Sequence, residues 1–82
     1  MELDGEQLHM IERVIVSPGD GVFVAAGQLP EVIEAGTAVG TLEAGGNSVA
    51  VVSPFRGRMG SLVAVDGERL RTHQRVAWLR AG

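Results

Sequence analysis

Val16-Ser17-Pro18-Gly19-Asp20-Gly21 recurs thirty-six residues later as Val52-Ser53-Pro54-Phe55-Arg56-Gly57. A second set recurs at a spacing of thirty-seven: Ile33, Val39, Leu42, Ala44 and Gly45 return as Leu70, Val76, Leu79, Ala81 and Gly82. Each half reads as strand, Ser-Pro-x-x-Gly turn, strand, connection, strand, strand. Proline fixes φ and lacks an N–H, so it closes a strand, and the glycine lets the chain turn. One half is too small to hold a core, whereas two halves bury one between them. Two repeats are too few for a solenoid, which favours a compact barrel or sandwich.

The segments around these turns agree. Val14-Ile15-Val16, Val22-Phe23-Val24, Ser48 to Val52 and Arg75 to Arg80 are β-branched or alternating runs bounded by Gly, Ser or Pro. Between the halves lies Leu42-Glu43-Ala44-Gly45-Gly46-Asn47-Ser48-Val49. Its central Gly45-Gly46 suits a two-residue type I′ hairpin, which needs positive φ at both inner positions. Only Gly5 to Arg13 offers a helical alternative, where Leu8, Ile11 and Glu12 allow one or two turns. The expected organisation is an N-terminal segment over 1–12, with a possible short helix, and one domain over 13–82.

Composition bounds the function. With 82 residues, 45% of them hydrophobic, the chain is a single small domain with a thin core. It has no cysteine, hence no disulfide, thiolate metal site or thiol nucleophile. A net charge of −3 speaks against nucleic acid as a partner. No apolar run approaches the roughly 20 residues that span a bilayer. The start, Met1-Glu2-Leu3-Asp4-Gly5-Glu6, lacks the basic and apolar stretches of a signal peptide, so a soluble, cytoplasmic protein is expected. Residues 1–44 carry eight acids and one arginine, residues 45–82 two acids and six arginines. That asymmetry is either a solvated surface or a dipole that steers a partner or a second copy. All seven basic side chains are arginine, and there is no lysine.

The order, spacing and duplication of these motifs over roughly residues 13–80 resemble the biotinyl/lipoyl carrier-domain family. Val16-Ser17-Pro18, Gly21 and Phe23 look most like its biotin carboxyl carrier branch from acetyl-CoA carboxylases. Glu31 to Val39 is similar to the family's Gly-Asp-x-Val-x-x-Gly-x-x-Leu connection, with Pro30 in place of the first Gly. Gly67-Glu68-Arg69-Leu70 and Gln74-Arg75-Val76 match the same connection in the second half, with His73 where Gly is usual. The resemblance implies an all-β fold: a flattened eight-strand barrel-sandwich hybrid of two pseudo-symmetric four-strand halves. It also implies a prosthetic group on a lysine at the tip of the central hairpin, within a Glu-Ala-Met-Lys-Met type sequence.

Here the chain departs from the family. Leu42-Glu43-Ala44 matches the start of that hairpin, and Pro54, twelve residues after Leu42, matches the proline that ends the next strand. Aligned without a gap, the modified lysine falls on Gly46 and its flanking methionines on Gly45 and Asn47. Attachment of biotin or lipoate needs a neutral primary amine to attack an acyl-adenylate. Glycine has no side chain, and arginine does not lose its proton near neutral pH. The one amine is the α-amino group of Met1. No cofactor is therefore expected.

Other residues read as follows. His73 and Arg75 are the candidates for a catalytic role, although His73 beside Arg71 and Arg75 reads first as a solvated turn residue. His9 falls in the N-terminal segment. No His, Asp or Glu spacing suits a metal site. Neither Gly19-Asp20-Gly21 nor Gly45-Gly46 opens a helix or precedes Lys-Ser/Thr, so neither is a phosphate loop. Phe23 and Trp78 read as core or half-buried wall, Phe55 as a turn aromatic. Arg56, Arg58, Arg71 and Trp78 are the candidates for a partner or ligand surface.

The expected function is a degenerate carrier-like protein-interaction module, not an enzyme. The resemblance implies association with an acyl-CoA carboxylase, or with a polyketide or fatty-acid synthase. The alternative is a scaffold recruited as a small cofactor-independent enzyme or ligand binder, with His73, Arg75 and Trp78 at its site. A third reading is a structural subunit that self-associates as a dimer. Neither nucleic acid nor membrane is expected as a partner.

Overall fold

The computed structural model describes residues 12–80. Eight strands follow in order: β1 (Glu12–Val16), β2 (Gly21–Ala25), β3 (Val32–Ile33), β4 (Ala38–Ala44), β5 (Asn47–Val52), β6 (Gly57–Leu62), β7 (Arg69–Leu70) and β8 (Arg75–Arg80). They form two four-stranded sheets, β1-β8-β6-β3 and β5-β4-β2-β7, with every pairing antiparallel. The helix expected over Gly5 to Arg13 and the candidate His9 lie outside the described residues, except that Glu12 and Arg13 belong to β1.

The duplication read in the sequence is a pseudo-twofold axis in space. Exchanging β1 with β5, β2 with β6, β3 with β7 and β4 with β8 turns one sheet order into the other. Each sheet therefore takes two strands from each half, and the halves interlock. The axis extends to single hydrogen bonds. The His73 N–H donates to the Ser17 carbonyl at 2.8 Å, and the Gly36 N–H to the Ser53 carbonyl at 2.7 Å. The Ser17 N–H reaches the Gln74 carbonyl at 2.8 Å, and the Ser53 N–H the Thr37 carbonyl at 2.9 Å. Both serines are fully buried, yet their hydroxyls are satisfied within their own turns, by the Gly19 carbonyl at 2.7 Å and the Phe55 carbonyl at 2.6 Å. A buried hydroxyl left unpaired would cost about 1–3 kcal/mol, so the bonds explain why serine is tolerated at both places.

The core lies between the sheets and is built mostly of symmetry-related pairs: Ile15 with Val51, Ile33 with Leu70, Val39 with Val76, Leu42 with Leu79. Phe23 breaks the symmetry. It is fully buried, while its counterpart Met59 only packs against the core's margin. The ring takes the space that a side chain at Gly40 would need, since a Cβ there would lie 2.5 Å from Phe23 Cε1. In the other half the equivalent residue, Ala77, keeps its methyl and is buried.

The interlocking also absorbs the charge asymmetry. The ion pairs Arg56–Glu34 (3.0 Å), Arg58–Glu31 (2.7 Å) and Arg80–Glu12 (3.8 Å) each join an acid of the first half to an arginine of the second. These exposed pairs are each worth about 0–1 kcal/mol. Three of the charges segregated along the chain are thus paired across the halves in the fold. No helix among the described residues is long and apolar enough to cross a membrane.

Candidate functional site

The hairpin between β4 and β5 is the feature that the sequence singled out. Gly45 and Gly46 have φ of +58° and +85°, the left-handed values that a type I′ turn demands at both inner positions. Ala44 and Asn47 face each other across the turn, followed by Glu43 with Ser48 and Leu42 with Val49. A Cβ at either glycine would meet nothing within 4 Å, so the tip stands clear of the body. Gly46, the position matched to the family's lysine, is at its apex.

An open groove of about 670 Å3 runs beside this tip. One wall is the hairpin, from Glu43 to Ser48, and the other is Asp20, Gly21, Val22 and Arg69. The walls meet because β2 sits between β4 and β7: Val22 pairs with Glu43 on one side and with Arg69 on the other. Gly21 allows the close approach, since a Cβ there would lie 2.9 Å from the Glu43 carbonyl oxygen. On the inner side of the hairpin a smaller apolar slot of about 90 Å3 is lined by Pro18, Leu42, Ala44 and Val49. The groove offers two carboxylates, one guanidinium, the Asn47 amide and the Ser48 hydroxyl. That set can hold a polar partner surface.

Asp20 is the best-anchored charge of the groove. Its Oδ1 accepts from the Thr72 N–H at 2.7 Å and from the Thr72 hydroxyl at 2.9 Å. These two bonds hold its carboxyl below the ordinary carboxylate range against an opposing effect of desolvation, with a lesser contribution from the positive charge of Arg71.

The other candidates are dispersed. His73 is exposed in the turn between β7 and β8, with φ of +70°, and it is the only described non-glycine residue with positive φ. It occupies the place of Gly36, whose φ is +93°, and its N–H bonds the Ser17 carbonyl as that of Gly36 bonds Ser53. Arg75 opens β8, and its guanidinium lies 5.9 Å from the centre of the half-buried Trp78 ring, a cation–π contact. Trp78 faces outward between Val14 and Ser61 of the flanking strands. Arg58 is closed by Glu31 and Arg56 by Glu34, and Arg71 lies beside Asp20. Two of these arginines are thus each paired with a carboxylate of the first half. Phe55, read as a turn aromatic, is half-buried against the core, with Arg13 over its ring at 5.5 Å. Among the described residues no group of three His, Cys, Asp or Glu could hold a metal ion.

Sequence reasoning missed Asp20 and Arg69 as neighbours of the tip. Asp20 arrives from the turn before β2, and Arg69 through β7, a strand of two residues that carries no periodicity of its own.

No family model matches this chain, and no curated protein matches it. Solved structures do. The crystal structure of the Kluyveromyces lactis urea carboxylase superposes with a TM-score of 0.73 at 20% identity, over 84% of this chain and 6% of that one. At that identity the likeness is one of fold. It agrees with an eight-strand, two-sheet architecture of the biotinyl/lipoyl-like type, and it places such a unit within a far longer protein.

Proposed function

We propose that this chain is an unmodified carrier-like docking module. It presents the β4–β5 hairpin to a partner protein and catalyses no reaction itself. The observation that carries the reading is the bare apex: Gly45 and Gly46 sit at a projecting tip in a chain without a single lysine. A type I′ turn built from two glycines is slim and stable, so the tip keeps its shape while offering no amine for an acyl group. The groove beside it supplies the polar contacts, through Asp20, Glu43 and Arg69. The carboxylase in which a similar fold is found favours an acyl-CoA carboxylase, or a synthase supplied by one, as the class of partner, and a cytoplasmic setting follows from that class.

Two measurements test this. Incubation with ATP and biotin or lipoate, together with the matching ligase, is expected to leave the intact mass unchanged. Titration with purified biotin carboxylase and carboxyltransferase subunits from the same source is expected to show binding that weakens at least tenfold in Glu43→Arg, which alters the groove wall but not the turn. A mass gain of one acyl group, or no binding to either subunit, overturns the reading.

A further inference from the structure

Four strands lie at sheet edges: β1 and β3 in one sheet, β5 and β7 in the other. Sheet edges carry unpaired N–H and C=O groups, and proteins blunt them with charge, proline, bulges or shortness. Two edges are blunted by shortness, since β3 and β7 have two residues each. The third, β1, carries Glu12 and Arg13 and a register shift between Ile15 and Val16. Strand β5 shares the register shift, opposite Val51 and Val52, but lacks the other devices. Asn47-Ser48-Val49-Ala50-Val51-Val52 is six residues long with no charge and no proline, and all but Val51 are exposed. Its large apolar residues stand in water, Val49 at 52% and Val52 at 44% exposure. Among the described residues its only strand partner is β4.

We propose that β5 is an association edge, through which two copies of this chain join their four-stranded sheets into one antiparallel eight-stranded sheet. Hairpin geometry fixes the register. The residues flanking a two-residue turn form a narrow hydrogen-bonded pair, here Ala44 and Asn47. Alternation then leaves the N–H and C=O of Ser48 and Ala50 pointing away from β4. A twofold axis normal to the sheet sets Ala50 against Ala50 of the second copy and Ser48 against Val52.

A second copy suits this edge because nothing repels it. The row across the axis is Thr41, Ala50 and the same two residues of the second copy, all neutral. The nearest carboxylate, Glu43, lies beside Ser48 and is carried to opposite ends of the joined sheet. The two carboxylates are then separated by roughly 20 Å, by strand rise and spacing, beyond the screening length in physiological salt. Antiparallel joining also sends the two Gly45-Gly46 tips in opposite directions, so both remain open to a partner. This inference does not depend on the docking function.

Sedimentation velocity across about 10 µM to about 1 mM tests it. Six residues of edge bury less than the roughly 800 Å2 per partner of a standard interface, so a weak, reversible dimer is expected. Because no ion pair holds it, raising the salt should leave the association unchanged. Ala50→Lys and Ala50→Glu each place like charges opposite one another and should weaken self-association at least tenfold, while an equimolar mixture of the two should recover the dimer. Ala50 is exposed, so both variants should keep the wild-type circular dichroism. A wild type that stays monomeric throughout, even one that takes a strand from another protein, overturns the proposal. So does a dimer that dissolves in salt or is indifferent to both substitutions.

Discussion

The junction of Ser17–Gly21 with the β7–β8 loop and the junction of Ser53–Gly57 with the β3–β4 loop have nearly the same backbone and different chemistry. Their main-chain bonds coincide, and both serines turn inward to the same kind of carbonyl. The side chains then diverge. Asp20 stands where the other junction has Arg56, and Arg71 where the other has Glu34, so the local charge pair is reversed. Gly36 is answered by His73. The fold is thus carried by turn geometry and buried aliphatic pairs, which both copies keep. The exposed positions are free to differ, and only one junction lies beside the bare hairpin.

That contrast can be broken at three places. The largest effect is expected in the core, where the copies differ most in volume. Phe23→Ala should destabilise the domain by about 3–5 kcal/mol, and Met59→Ala by clearly less, because only the phenylalanine is enclosed. Denaturant melts of both variants would show it, and equal losses would mean that the core is shared evenly. A smaller effect is expected at the strained turn. His73→Gly should raise stability by up to about 1 kcal/mol by relieving a left-handed backbone, while Gly36→Ala should lower it by about 1 kcal/mol or more. Thermal melting of the pair would sharpen the comparison through their opposite signs. The smallest effect concerns pH. The Asp20 carboxyl is held below its ordinary range, so its bonds to Thr72 contribute in full above the unfolded pKa of about 4. That contribution is lost as pH falls through the lower folded value. The stability difference between wild type and Asp20→Asn should therefore be constant near neutral pH and shrink on acidification. A difference that widens in acid would contradict the assigned direction.

The duplicated Ser-Pro-x-x-Gly turns and their aliphatic partners made the eight strands and the central hairpin readable, because proline, glycine and β-branched runs act through local sterics. Even the two buried serines lie in the turns that the repeat picked out. The groove was less legible. Arg69 reaches the tip through a strand of two residues, too short to leave a pattern, and Glu43 faces it only because β2 lies between. The charge asymmetry was legible, but its pairing was not, since Glu12, Glu31 and Glu34 meet their arginines only once the halves interlock. The candidate arginines were read as one surface because sequence gives their sign but not their partners. Glu31 and Glu34 already occupy two of them.

Since every sheet borrows strands from both halves, no part of this domain has a boundary at which it can open alone. Losing β4, for example, strips β5 and β2 of their shared neighbour and exposes the core from both sides. Amide hydrogen exchange should then report a single ceiling across both sheets, with no half exchanging ahead of the other. The nucleus must bring together segments remote in sequence before either half gains anything, which places folding among the slower topologies. Nicking any one loop would leave two fragments that are structured only in each other's presence.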